Sequence, residues 1–530
     1  MVQFFCALYL KLEKMPDSPI PNPLDLPSDP ERHFRTDHLT ATLKSRSARG
    51  SAVTVAAQGI KFIVSMSSTI VLARLLTPQD YGLIGMVIVI IGFISMFKDL
   101  GLSLATVQRA EITHHQVSTL FWINVSISVA LMLLTMATAP LVALFYGEPR
   151  LTWITIGLAA TFIFGGLTVQ HQALLQRQMR FAALAGIDLI SLLAGILTAI
   201  IAAWCGAGYW ALVLSQFATA FTNAAGVWMM CDWRPGAPKR NSGVRPMLAL
   251  GGNLTGFSMV NYFARNLDNL LIGRFWGPQQ LGLYAKAYQL LLLPIEQINS
   301  PVTAVVVPAL SRLADSPERY RQAYLRILEK LTMLTMPGVA FMIATSGWLV
   351  QLVLGEKWMG VSPIFTLLGI AGLLQPVGNT VGWLFTTQGR TKRMFKVGNI
   401  LGLIAIVSII IGLPWGAVGV AASYAAVDIC IRAPFLFWFV GREGPVRTVD
   451  FYRTIAPSAC ASLGVLAVLL AVRHWWLVDV KPLAGLSISF GLAVGVTFLI
   501  LIILPAGRRA LQDMKSLLPL LIKREKPAHQ

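Results

Sequence analysis

The sequence predicts an all-α integral membrane protein of about fourteen transmembrane helices, arranged as two parallel-related six-helix lobes around a central cavity plus two C-terminal helices. Three observations predict it: the chain is poor in charge, its apolar runs follow one another almost without interruption, and two stretches 200 residues apart carry the same punctuation. Of 530 residues, 55% are hydrophobic and only 13% charged, about half the charged share of a soluble domain.

A lipid-spanning helix needs about 20 consecutive apolar residues, and such runs extend from Ser51 to Ala506, leaving no space for a sizeable soluble domain. Residues 1–45 come first. Their opening ten residues are apolar but too short to span, Lys11 and Lys14 follow at once, and no small-residue cleavage site is apparent. Prolines from Pro16 to Pro30 mark this segment as a disordered cytoplasmic tail. Gly, Pro and charge punctuation then places helices near 51–74, 82–101, 117–143, 151–174, 181–203, 208–230, 247–274, 283–309, 330–353, 361–386, 395–413, 416–438, 454–472 and 484–505. The expected organisation is a tail (1–45), an N-terminal lobe (46–232), a C-terminal lobe (246–440), two additional helices (454–505) and a basic amphipathic cytoplasmic tail (506–530). Both that tail and the segment from Ser311 to Lys330, with Tyr320 and Tyr324, read as surface helices drawn to anionic lipid.

Charge fixes the expected orientation. With the N-terminus inside, 33 of the 43 Lys and Arg fall in cytoplasmic segments, six fall outside (Arg74, Arg150, Arg274, Lys357, Arg473 and Lys481) and four lie within spans. Omitting one span would invert every later loop, so both termini are expected in the cytoplasm. The net charge of +19 is thereby accounted for by loops and does not call for nucleic acid. The five cysteines, Cys6, Cys205, Cys231, Cys430 and Cys460, are scattered without a CxxC pair, and the adjacent His114 and His115 lack further ligands nearby, so neither a metal nor another cofactor is expected.

The repeat sets Arg74-Leu75-Leu76-Thr77-Pro78-Gln79-Asp80-Tyr81-Gly82-Leu83 against Arg274-Phe275-Trp276-Gly277-Pro278-Gln279-Gln280-Leu281-Gly282-Leu283. Gly147-Glu148 against Gly355-Glu356, and Gly206-Ala207 against Gly416-Ala417, extend it. Six helices, six helices and two therefore follow in order. Because six is even, the halves keep one orientation and are related about an axis along the membrane normal.

Several motifs, taken in order, resemble the polysaccharide transporters of the multidrug/oligosaccharidyl-lipid/polysaccharide exporter superfamily: Leu72-Ala73-Arg74-Leu75-Leu76-Thr77-Pro78, Phe97-Lys98-Asp99-Leu100-Gly101-Leu102, Asn266-Leu267-Asp268-Asn269-Leu270-Leu271-Ile272-Gly273-Arg274, Val307-Pro308-Ala309-Leu310-Ser311-Arg312 and Leu354-Gly355-Glu356-Lys357-Trp358. The resemblance covers roughly residues 45–505. It implies a flippase for polyprenyl-linked repeat units of lipopolysaccharide or exopolysaccharide, with lobes that open alternately to either side. A polysaccharide polymerase and chain-length machinery are the partner proteins it suggests.

Ionisable residues inside these spans are the candidate site. Gln58, Lys61, Ser65 and Ser68 recur at i, i+3, i+7 and i+10 on one face of the first helix, and the same positions shifted by 200 are Ser258, Asn261, Arg265 and Asp268. Lys286, Gln289 and Glu296 add a third stripe. Charges at membrane depth are costly and usually line a path or pair with one another. Lys61, Arg265 and Lys286 are thus candidates to bind an anionic head group, with Gln58, Asn261 and Gln289 contacting sugar. A naked pyrophosphate would otherwise cost tens of kcal/mol to move through hydrocarbon. The alternative is plain neutralisation: Arg265 by Asp268, and Lys61 by Asp188 or Asp428. The same three aspartates, Asp268, Asp188 and Asp428, are also candidates for binding a coupling proton or sodium ion.

Other functions fit less well. There is no GxxxxGK[ST] loop for an ATPase, and no HExxH, GxSxG or cytoplasmic DxD-like pair. A membrane polymerase or ligase would carry its Arg, His and carboxylates in a large outer loop, whereas the expected outer loops are short and nearly uncharged. A drug exporter of the same superfamily would favour an acidic cavity for cations. A passive scaffold would have no use for repeated polar faces.

Overall fold

In a computed structural model of the chain, the residues described are 34, 43–99, 101–109, 111–239, 245–477, 480–505, 507–509 and 512. Most of both expected tails, with Cys6, lies outside them. Among the described residues the protein is helical throughout, and eleven helices are long and apolar enough to cross a membrane. Two of these, 265–311 and 391–441, each contain two expected spans, and the helix Trp210–Met230 fills the place of another. Every one of the fourteen expected places is thus occupied by helix.

The chain divides into two compact units, with the break after Gly282. The first contains α1 (Leu43–Leu75), α2 (Pro78–Ser95), α3 (Leu102–Gln108), α4 (His114–Tyr146), α5 (Arg150–Ala159), α6 (Thr161–Arg177), α7 (Phe181–Trp204), α8 (Trp210–Met230) and the first arm of α9 (Arg245–Ser311). Local chemistry sets the boundaries. Thr77 caps α2 by accepting from the Asp80 amide while the Asp80 carboxylate accepts from the Thr77 amide, and Pro78 fills a first-turn position whose missing N–H costs nothing. Thr113 and Gln116 repeat the arrangement at α4. The second expected helix runs to residue 101, but α2 stops at Ser95 and Gly101, at φ 70°, turns the chain into the short α3. α9 is broken once, at Gly277 (φ 78°), a left-handed conformation that costs glycine no Cβ clash.

Helices α7, α8 and α1 pack through small residues. Ala199, Ala203 and Ala211 lie buried with Leu72 and Leu76, letting backbones approach closely. At the other end of the unit, Leu102, Leu120, Phe121, Leu174, Val227 and Trp233 form a buried core that also takes in Phe34. Phe34 falls within the segment expected to be disordered, yet it is only 6% exposed and its carbonyl accepts from Arg177 Nε and Nη2 at 3.1 and 3.0 Å. Arg177 Nη1 also donates to the carbonyls of Thr106 and Arg109. One buried guanidinium therefore serves the open C-terminal end of α3 and fixes the chain ahead of α1.

The two copies of the repeat meet inside this unit. A side-chain carbon at Gly82 would collide with the Pro278 carbonyl, and one at Gly282 would collide with the Pro78 carbonyl. The sequence repeat is therefore also a reciprocal packing contact between two proline-started helix ends.

The second unit contains the rest of α9 from Leu283, followed by α10 (Pro317–Ala344), α11 (Ser346–Val353), α12 (Val361–Gly372), α13 (Gln375–Thr387), α14 (Thr391–Gly412), α15 (Gly416–Val427), a π-helical turn (Asp428–Arg432), α16 (Ala433–Gly441), α17 (Thr448–Trp475) and α18 (Pro482–Ile503). Its core joins α10, α13, α16 and α17, with Phe437 and Phe451 stacked at 4.9 Å. The expected surface helix from Ser311 to Lys330 is corrected here. From Pro317 on it is the first half of the spanning helix α10, and both tyrosines are interior. Tyr324 is fully buried with its hydroxyl 2.9 Å from Thr380 Oγ1, and the Tyr320 hydroxyl lies 2.6 Å from Thr387 Oγ1. The apolar stripe that suggested a lipid surface is instead used against protein.

Candidate functional site

In the first unit, the polar face of α1 meets α7. Lys61 Nζ donates to Asp188 Oδ2 at 2.8 Å, and the two side chains remain 24% and 48% exposed. Of the carboxylates the sequence offers Lys61, the structure selects Asp188. Gln58 is exposed one turn away, while the hydroxyls of Ser68 and Thr69 both donate to the Ser65 carbonyl within α1. The lower part of the expected stripe is thus open and charged, and the upper part is satisfied internally.

On the first arm of α9, Arg265 is exposed, and among the described residues it has no ion pair. The expected i, i+3 pair with Asp268 does not form. The Asp268 carboxylate accepts from the Asn269 amide at 2.8 Å. The Asn261 side chain lies outside the described residues. Next to it, Tyr262 donates its hydroxyl to the Val89 carbonyl at 2.8 Å, tying α9 to α2.

In the second unit, Lys286 is 5% exposed and donates to Gln289 Oε1 at 3.1 Å. The Asp428 carboxylate accepts from Arg432 Nη1 at 2.5 Å, and the same nitrogen donates to the Tyr424 hydroxyl at 2.9 Å. Among the predicted residues two pairs are formed, Lys61 with Asp188 and Lys286 with Gln289, while Asp428 takes a partner outside the predicted set and Gln58 and Arg265 stand exposed.

Charge-based reading missed three groups. Arg432 had the simplest signal available, a carboxylate four residues earlier on the same helical face. The second group is a buried amide network: Gln170 Nε2 donates to Asn124 Oδ1 at 2.9 Å, Thr106 donates to Gln170 Oε1 at 2.8 Å, and Asn124 Nδ2 donates to the Lys98 carbonyl at 3.2 Å. Gln172 and Asn223 form a further amide pair at 2.9 Å. The third is His171, fully buried and stacked on Trp228 at 4.5 Å with Phe121 and Trp233 at its edges. Asn and Gln within apolar runs would have pointed to the second group, since a neutral amide at membrane depth also needs a partner. Each unit by itself offers fixed cations, held by a carboxylate or amide or left open, beside hydroxyl and amide donors. That chemistry suits a polar, anionic cargo better than an apolar one.

A model of the family described as polysaccharide biosynthesis protein matches residues 71–363. The chain is 28% identical over 395 residues to the lipopolysaccharide biosynthesis protein WzxC of Escherichia coli (strain K12), covering 73% of this chain and 80% of that protein. It is 26% identical to the teichuronic acid biosynthesis protein TuaB of Bacillus subtilis (strain 168), covering 72% and 80%, and 24% identical to the succinoglycan biosynthesis transport protein ExoT of Rhizobium meliloti (strain 1021), covering 86% and 91%. In fold it is similar to a solved inward-facing multidrug resistance MATE family transporter of the MOP superfamily, with a TM-score of 0.55 at 14% identity over 74% of this chain and 96% of that one.

Proposed function

The chain belongs to the polysaccharide biosynthesis protein family, whose model matches more than half of it, and on that premise we propose that it is a flippase for a polyprenyl-(pyro)phosphate-linked oligosaccharide repeat unit. It carries the unit from the cytoplasmic to the periplasmic leaflet of the bacterial inner membrane by alternating access, for lipopolysaccharide or exopolysaccharide synthesis. One observation carries this reading: relatives named for three chemically different polysaccharides match most of this chain. One of these relatives is named a transport protein, and the eleven helices long and apolar enough to cross a membrane support carriage of a unit across the bilayer as the shared task.

Lys61, Arg265 and Lys286 are proposed to receive the phosphate charge, and Gln58, Asn261 and Gln289 the sugars, while the polyprenyl tail stays in lipid. Fixed cations replace the hydration that the phosphates lose, and they do so without reorganising. The Lys61–Asp188 pair supports an exchange in which the head group displaces a carboxylate. Asp188 and Asp268 are then the residues proposed to take up a coupling proton or sodium ion. The excess of Lys and Arg in alternate loops supports placing both termini in the cytoplasm.

Depleting the protein from its own cell tests this reading. The lipid-linked repeat unit should accumulate in a form that periplasmic glycosidases cannot reach until the membrane is permeabilised. Accumulated units already exposed at the outer face would instead point to a block after flipping, as loss of a polymerase or ligase would give.

A further inference from the structure

Of the Arg–carboxylate pairs among the described residues, three contrast in how they use the guanidinium. Arg150 grips Glu148 with Nε and Nη2 at 2.8 and 2.9 Å, and Arg321 grips Asp450 with the same two nitrogens at 2.8 and 2.7 Å. Both are full forks, the geometry in which a guanidinium matches a two-oxygen anion. Arg432 is different. Among the described residues it reaches Asp428 and Tyr424 through Nη1 alone, and its buried Nε has no hydrogen-bond partner. An orphaned donor on a charged group is costly to keep, and nothing about arginine prevents a bidentate grip on a carboxylate four residues away.

The backbone is also unusual at this point. Asp428–Arg432 is a π-helical turn inside an otherwise α-helical run, and such turns occur often at functional sites. The guanidinium carbon lies 5.2 Å from the centre of the Tyr424 ring, and both charged side chains are about four-fifths covered, at 21% and 17% exposure. Arg432 stands nine residues before the end of α16 at Gly441, about 14 Å along a helix axis. A charge that far into a span is expected to pair or to line a path.

We infer that Arg432 is a phosphate-binding residue of the translocation path and that Asp428 is its displaceable counter-ion. In the resting state Asp428 neutralises the guanidinium through one nitrogen and Tyr424 orients it, leaving the other edge of the fork unspent. A phosphate or diphosphate presents several oxygens, so once the side chains covering Nε part it can take Nε and an Nη together and replace the single bond to Asp428. The guanidinium is not left without an anion at any stage, since one leaves it as another arrives, and the released Asp428 carboxylate has to take up a proton or reach water. This inference rests on the proposed flippase function and adds a cation from the second unit to its anion path.

The test uses the full-length protein in nanodiscs titrated with geranylgeranyl diphosphate, comparing wild type with Asp428→Asn, Arg432→Gln, Arg432→Lys and the Asp428→Asn/Arg432→Gln pair. Removing the competing carboxylate should tighten binding about tenfold, and Arg432→Gln should weaken it about tenfold. In the Arg432→Gln background, Asp428→Asn should then change nothing, because it acts only through the guanidinium. Arg432→Lys keeps the charge and so guards against misfolding of the neutral variants; it should still bind more weakly because the fork is lost. Asp428→Asn protein that is folded but binds no tighter, or Arg432→Lys protein that binds like wild type, overturns the inference. Saturable wild-type binding combined with either result leaves the flippase reading standing. A wild type that binds no diphosphate lipid sinks that reading itself.

Discussion

Gly82 and Gly282, separated by 200 residues, each face the carbonyl of the proline that starts the other's helix. Neither position has room for a Cβ. Gly82→Ala and Gly282→Ala should each cost about 1 to 3 kcal/mol through overpacking against rigid backbone, read as lower membrane abundance and an earlier melting transition in detergent. Gly59, in a helix with nothing near its hypothetical Cβ, provides the control. Gly59→Ala should be neutral or slightly stabilising, since alanine is the better helix former.

The Lys61–Asp188 pair separates cargo binding from simple pairing. Lys61→Gln should lower translocation roughly tenfold to a hundredfold, the loss expected for one charge-assisted hydrogen bond of about 1.5 to 3 kcal/mol. Abundance should change little, because both side chains keep access to solvent. Exchanging the residues, as Lys61→Asp with Asp188→Lys, should restore the ion pair without restoring transport. Full activity of the exchanged protein, measured as lipid-linked sugar reaching the outer face, would reduce both residues to a structural role.

Orientation can be read with single cysteines placed in a background lacking all five natural ones. Residues introduced at Ala207 and Gly416 should react with an impermeant maleimide added to intact spheroplasts, and those at Lys239 and Arg390 should not. Labelling of the second pair from outside would invert the topology.

Glu148, between two spanning helices, and Arg150, the first residue of the second, supply a pH test. The bidentate hydrogen bonds from Arg150 hold the Glu148 carboxyl below its ordinary value. A carboxylate whose folded value is depressed stabilises the protein above its unfolded value, about 4.3, and that contribution fades as pH falls through the folded value. Wild type should therefore lose more thermal stability below about pH 4 than Glu148→Gln does. Parallel melting curves for the two proteins down to pH 3 would contradict the assignment.

How much of this the sequence made legible depends on the range of each interaction. The helices and their repeat are readable because apolar length and Pro/Gly punctuation are local properties. Tyr320 and Tyr324 were misplaced because an amphipathic face looks the same whether it covers lipid head groups or a protein core. α2 ends at Ser95 in a run of tight turns that leads to Gly101 at φ 70°, and the apolar run there conceals them. In the site, Lys61 was identified as a charge requiring company, but its choice of Asp188 depends on how α1 packs on α7. Arg432 is the reverse case: its partner is local, but the single-nitrogen grip and the π turn exist only in three dimensions.

Reconstitution tests the central claim most directly. Purified protein in liposomes should move a fluorescent polyprenyl-diphosphate-linked oligosaccharide between leaflets without ATP, at a rate that falls with Lys61→Gln and responds to an imposed proton or sodium gradient. Protein-free liposomes should not move it. Equal accessibility in liposomes with and without the protein, or movement that depends on ATP hydrolysis by this polypeptide alone, would contradict the account.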